Sequence, residues 1–176
     1  MPKFLVPLSI LFLLTSCGPK LSPLTQRVID DQGWGNAEFE RIQFYLSDDL
    51  VLTRELRAGQ TQITRGEVKI INGREVEQVV FPSRTPGVFV FSPKTQRVAV
   101  SFESSDDNYL VFGPNPRQGN SYVLLAQDWG NREGTVTYAG KEWKVSVANA
   151  YTSLLIPLKE LNKRDVNGRV VGGRKL

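Results

Sequence analysis

The chain has 176 residues, 40% of them hydrophobic and 23% charged, which suits one packed globular domain and excludes a disordered or fibrous protein. The formal net charge of +4 sits from Lys159 onward, where Lys159, Lys163, Arg164, Arg169, Arg174 and Lys175 meet only Glu160 and Asp165, so the basic character belongs to a tail and not to a nucleic-acid-binding face. No histidine occurs, which removes the usual general base near neutral pH, the His-dependent Ser and Cys nucleophiles, and the commonest zinc ligand.

The chain opens with "MPKFLVPLSILFLL", in which Lys3 precedes an apolar run from Phe4 to Leu14 broken only by Pro7 and Ser9. A spanning helix needs about 20 residues to cross a hydrocarbon layer of roughly 30 Å, so this shorter run reads as the apolar region of a secretory signal peptide. The next residues, Leu14-Thr15-Ser16-Cys17, resemble the lipobox of bacterial lipoproteins: an aliphatic residue, two small residues, then cysteine. The resemblance implies that residues 1–16 are removed as a lipoprotein signal peptide and that Cys17 becomes the new N-terminus, its thiol carrying a diacylglyceryl group. Two or three acyl chains anchor a protein stably, at roughly 0.8 kcal/mol per buried methylene. In enterobacterial lipoproteins an aspartate after the cysteine marks inner-membrane retention; Gly18 stands there instead, which favours the outer membrane. A cytosolic protein with a buried apolar N-terminus and a core thiol is the weaker reading. Cys17 is the only cysteine, so once it is acylated no disulfide, redox pair or thiol nucleophile remains.

Residues 17–36 read as the tether, rich in turns at Pro19, Pro23, Gly33 and Gly35, with "LTQRVIDDQ" able to form a short helical turn. "AEFERIQFYL" fits both the strand and the helix period. From Leu50 the pattern is β. "LVLTREL" is a strand; Asn72-Gly73 between alternating apolar runs predicts a two-residue type I′ hairpin, with Val68 and Ile70 on one arm and Val76 and Val79 or Val80 on the other as its buried side. "GVFVF" and "QRVAVSFE" flank the turn "SPKT", with Val98, Val100 and Phe102 expected on the buried face and Ala99 and Ser101 on the open one. "YLVFG", "SYVLLAQ", "GTVTY", "KEWKVSV" and "SLLIPL" follow, with a turn at Ala139-Gly140 and with Trp143, Val145 and Val147 on one face. The expectation is an all-β fold: a single antiparallel β-sandwich or small β-barrel of about ten short strands over residues 37–158, followed by a flexible basic tail over 159–176.

Trp-Gly-Asn occurs twice, at Trp34 to Asn36 and at Trp129 to Asn131. An indole beside an amide suits a sugar, whose apolar ring face stacks while its hydroxyls find the amide; the plainer reading is that each Trp plugs an end of the core and Gly-Asn makes the adjoining turn. The longest Pro/Gly/Asn loop, "FGPNPRQGNSY", carries Arg117, and loops of this kind on a rigid sheet often bind. The acidic pairs at Asp30-Asp31, Asp48-Asp49 and Asp106-Asp107 lack the alternating ligand spacing of a calcium loop, and no phosphate-loop or hydrolase-elbow motif is present. The sequence therefore points to no catalytic residues, no metal and no cofactor. It points to a lipid-anchored envelope protein, not an enzyme, that binds or assembles, with the membrane as partner through Cys17 and envelope proteins or cell-wall glycan as further partners. Trp34, Asn36, Trp129, Asn131 and Arg117 are the candidate binding residues. A small barrel carrying a hydrophobic ligand is the alternative, its cavity lined by residues such as Phe89, Phe91, Phe102, Phe112 and Trp143.

Overall fold

Period-two apolar patterning builds twelve short strands with helical turns between and after them, in a computed structural model that describes residues 18–56, 67–71, 74–130 and 132–161. The expected signal peptide (residues 1–16), Cys17, the hairpin turn expected at Asn72-Gly73, Asn131 and the residues beyond Leu161 lie outside the described residues. The chain runs β1 (Leu21–Pro23), α1 (Gln26–Gln32), α2 (Asn36–Phe39), β2 (Phe44–Leu46), β3 (Leu50–Glu55), β4 (Glu67–Ile71), β5 (Arg74–Phe81) and β6 (Pro86–Phe91). It continues through β7 (Val98–Ser101), β8 (Tyr109–Asn115), β9 (Ser121–Leu124), β10 (Glu133–Tyr138), β11 (Lys141–Ser146), β12 (Leu154–Pro157) and α3 (Leu158–Leu161). Two 3-10 turns, Pro116–Gln118 and Val147–Tyr151, join β8 to β9 and β11 to β12.

All pairings are antiparallel and form two sheets, one of seven strands in the order β1-β12-β2-β6-β7-β8-β9 and one of five in the order β10-β11-β3-β5-β4. The two pack as a sandwich. Isolated bridges at Thr25–Ser121 and Val123–Ser153 brace the edges of the larger sheet without a continuous ladder, so the fold is not a closed barrel. Residues 21–36 are built into the domain: β1 pairs with β12, Leu24 is fully buried, and α1 starts at Thr25, whose hydroxyl accepts from Val28 N at 3.2 Å.

The core lies between the sheets. Leu50, Leu52, Val79, Phe81, Val136, Tyr138, Trp143 and Val145 come from the five-stranded side, and Phe44, Leu46, Val100, Leu110, Phe112, Leu124, Leu154 and Ile156 from the other. Burying each large side chain contributes about 1.5–3 kcal/mol. The aromatic side chains pack on one another: Phe81 meets Phe102 at 5.9 Å and Tyr138 at 5.4 Å, and Phe102 meets Phe112 at 6.1 Å, all edge-on. Gly87 is required here, because a Cβ on it would come within 2.6 Å of the Phe102 ring.

The hairpin expected at Ala139-Gly140 forms, with φ of 50° and 68° at its two residues, the positive pair that a type I′ turn needs. Two face assignments are corrected. Val68 and Ile70 are exposed, at 41% and 76%, although Val76 and Val79 are buried. β4 is the outermost strand of the smaller sheet, so the expected alternation is present there without the opposing sheet to cover it. On β7 all four residues are buried, Ala99 and Ser101 included. The Phe91 and Tyr109 rings on the neighbouring strands meet edge-on at 4.9 Å, and Ser101 Oγ donates to Ser105 O at 3.0 Å, so the second face is covered too.

Candidate functional site

The two Trp-Gly-Asn copies occupy different clefts. In both, the residue before the tryptophan is left-handed: Gly33 has φ of 65° and Asp128 φ of 50°. Glycine takes this conformation freely and aspartate is among the few other residues that tolerate it. The glycines inside the copies, Gly35 and Gly130, do not have positive φ, so the turn precedes each tryptophan instead of following it.

Trp34 follows the end of α1, its N–H donating to Ile29 O at 3.0 Å, and its half-buried ring packs against the core. It lines a cleft of about 500 Å³ together with α1, the β6–β7 loop and Tyr122. The surroundings are polar, and several of the groups bond to one another. Tyr122 hydroxyl donates to Gln26 Oε1 at 2.6 Å, Gln26 Nε2 to Asp30 Oδ1 at 2.7 Å, and Ser92 Oγ to Asn36 Oδ1 at 2.9 Å. Burial, with the nearby Asp30 carboxylate, pushes the Tyr122 phenol up to about 12, and the Arg97 cation opposes the shift. Exposed Glu38 accepts from Gly35 N at 2.8 Å, and the backbone hydrogen bond lowers its carboxyl below the ordinary value.

Trp129 is placed differently. Its loop leaves β9 and is pinned by a pair of 2.8 Å hydrogen bonds between Gln127 and Thr135 and by Gly130 N donating to Glu133 O at 2.9 Å. The ring folds back onto Gly134 of β10, where an added Cβ would come within 2.9 Å of both the indole and the Ala126 Cβ. One side of the indole therefore rests on backbone, while the residue as a whole stays 43% exposed. It lines a groove of about 450 Å³ whose other walls are Pro114–Arg117 at the β8–β9 corner and Val147, Ala150 and Tyr151 of the second 3-10 turn. Tyr151 is 46% exposed.

Among the described residues Arg117 is the one charged side chain lining this groove, and it makes no ion pair with any of them. Asn115 Oδ1 accepts from Arg117 N at 3.0 Å and so fixes the turn that presents the guanidinium. The structure thus brings Arg117 and Trp129 together and places Trp34 and Asn36 in the other cleft. Asn131 lies outside the described residues. Tyr151, Ala126 and Gly134 were not singled out from the sequence. Gly134 carried a trace, as a glycine on the inward-facing side of a strand, which often marks close approach by another group.

Phe102, Phe112 and Trp143 belong to the packed core, and Phe89 contacts Phe39 at 5.6 Å. Trp143 is further covered by the Arg54 guanidinium, 5.5 Å from its ring centroid and ion-paired to the fully buried Glu77. Among the described residues, Asp30 is the one carboxylate lining the Trp34 cleft, and none lines the Trp129 groove. Among the described residues no group of three or more Cys, Asp or Glu side chains could hold a metal ion, and no helix is long and apolar enough to cross a membrane. No family model, curated protein or solved structure matches the chain.

Proposed function

We propose that the protein is a lipid-anchored, non-catalytic binding module of the cell envelope, held at the outer membrane by acyl chains on Cys17 and engaging an envelope protein or cell-wall glycan through the Trp129 groove. The observation that carries this reading is the seating of Trp129: an exposed indole pinned on Gly134, in a groove shared with Arg117, which makes no ion pair among the described residues. Large aromatic residues held rigid at the surface, with a cation nearby, are the composition of binding hot spots. The mutual packing of the core aromatics lends no support to a ligand carrier.

Crosslinking in intact cells, followed by purification of the protein with whatever it holds, tests the reading. The wild-type protein is expected to bring down a defined species that Trp129→Ala loses while its membrane retention is unchanged. Cys17→Ser is expected to lose lipid labelling and processing. A recovered species indifferent to Trp129→Ala, or membrane retention of Cys17→Ser without either modification, would overturn the corresponding half of the proposal.

A further inference from the structure

We propose that the Trp129 groove is a site for an acidic saccharide: a pyranose ring stacked on the indole, with a carboxylate of the same sugar unit held by Arg117. This rests on the reading of that groove as the binding surface and adds the chemical class of what enters it. Four features of the groove lead to it.

Its volume, about 450 Å³, lies within the roughly 300–1,000 Å³ of small-ligand sites. Two half-exposed aromatic rings, Trp129 and Tyr151, line it from separate elements. Such rings offer flat apolar platforms, which match the C–H face of a pyranose while leaving its hydroxyls in water. Trp129 is also ordered in advance, because the Gln127–Thr135 hydrogen bonds and the contact with Gly134 fix its loop and its ring. Little side-chain freedom is then lost on binding.

Charge supplies the second half. Among the described residues Arg117 is the sole charged side chain on the walls, it is exposed, and no carboxylate lines the groove to neutralise it or to repel an anion. A planar guanidinium pairs with a carboxylate through two parallel hydrogen bonds. An extended peptide is the less suitable occupant, since it needs free backbone partners. Along this wall Leu124 N already donates to Thr152 O at 3.0 Å and Leu125 N to Val111 O at 2.9 Å.

The test uses the full-length lipidated protein purified in detergent and three probes followed by calorimetry: a muramyl disaccharide with a free lactyl carboxylate, a disaccharide containing glucuronic acid, and neutral N,N′-diacetylchitobiose. At least one acidic probe is expected to bind tenfold or more tighter than the neutral one, and which of the two does so identifies the source as cell-wall glycan or uronic-acid polysaccharide. Arg117→Ala should bring the acidic and neutral probes to within twofold of each other. Trp129→Ala should abolish binding of all three, whereas Trp34→Phe should change none. Arg117 is exposed and outside the core, so its variant tests the anion site independently of how well Trp129→Ala folds. Equal affinity for acidic and neutral probes, or acidic binding that survives both substitutions, overturns the inference. If crosslinking recovers a Trp129-dependent protein while no saccharide binds, the inference fails and the binding-module reading stands.

Discussion

The same tripeptide, Trp-Gly-Asn, is used twice in this chain with different results. Both copies begin after a left-handed residue, Gly33 or Asp128, so the local chain direction is prepared in the same way. What differs is where each ring lands. Trp34 drops beside α1 and packs against the core, in a cleft where Tyr122, Gln26 and Asp30 form one hydrogen-bonded chain and Ser92 and Asn36 a second contact. Trp129 lands on a strand at the one kind of residue that leaves room for it, and half of it stays in water. A short motif thus fixes how a side chain leaves the backbone, while the residue beneath it decides whether it becomes packing or surface.

Truncation of the three tryptophans tests this most strongly, because cost should follow burial and not motif membership. Trp143, only 1% exposed, should lose about 3–5 kcal/mol as Trp143→Ala. Trp34→Ala should lose about 2 kcal/mol and Trp129→Ala about 1 kcal/mol or less, in line with decreasing loss of buried contact. Denaturant unfolding measures all three. A Trp129→Ala cost equal to that of Trp34→Ala would show that the two copies are the same structural device.

The polar floor of the Trp34 cleft has a pH signature. The folded state raises the Tyr122 phenol from an ordinary 10.0 to about 12. The neutral form is therefore the one the fold favours. Its contribution is fully present below pH 10 and is lost as the pH rises through about 12, amounting to at most about 3 kcal/mol at roughly 1.4 kcal/mol per unit. Between pH 9 and pH 12 the wild-type protein should lose more stability than Tyr122→Phe, by at most about 2 kcal/mol, since the variant keeps the ring without the titrating group. Equal losses would mean that burial of the hydroxyl does not hold the phenol neutral.

Much of this was readable from residue order, and the exceptions share a cause. The Ala139-Gly140 turn and the strands β3 and β5–β12 follow from alternation and turn chemistry, which are local. The failures came where burial depends on distant chain. Val68 and Ile70 alternate as a core strand should, but β4 is an edge that the opposing sheet does not cover. Ala99 and Ser101 read as an open face until neighbouring strands and the following loop close over them. Three-residue β1 exists only because β12 is there to pair with it. Sandwich and barrel differ in whether edges join, which no window of sequence encodes. At the site, Trp129 and Arg117 were identifiable as residue types, but their sharing of a groove depends on the β8–β9 corner and the second 3-10 turn converging. Gly134 was not singled out from the sequence; its purpose shows only when the indole is seen lying on it.

That glycine is also where the two copies can be separated with the smallest change, a single methyl group. At Gly35, inside the first copy, an added Cβ would find its nearest neighbour at 3.5 Å, the end of the flexible Glu38 side chain, and the backbone has ordinary extended geometry. Gly35→Ala should shift stability by less than about 0.5 kcal/mol. At Gly134 the same methyl would meet the Trp129 ring and the Ala126 Cβ at 2.9 Å, a separation that neither rigid group can relieve by rotating a distal bond. Gly134→Ala should cost about 1–2 kcal/mol through overpacking, and the cheapest relief is to lift the indole off the strand. Trp129 would then become more accessible to an aqueous fluorescence quencher while Trp34 and Trp143 stay as they were. Unchanged quenching and unchanged stability in Gly134→Ala would mean that the indole does not rest on Gly134, and the distinction between a packed and a presented tryptophan would lose its physical basis.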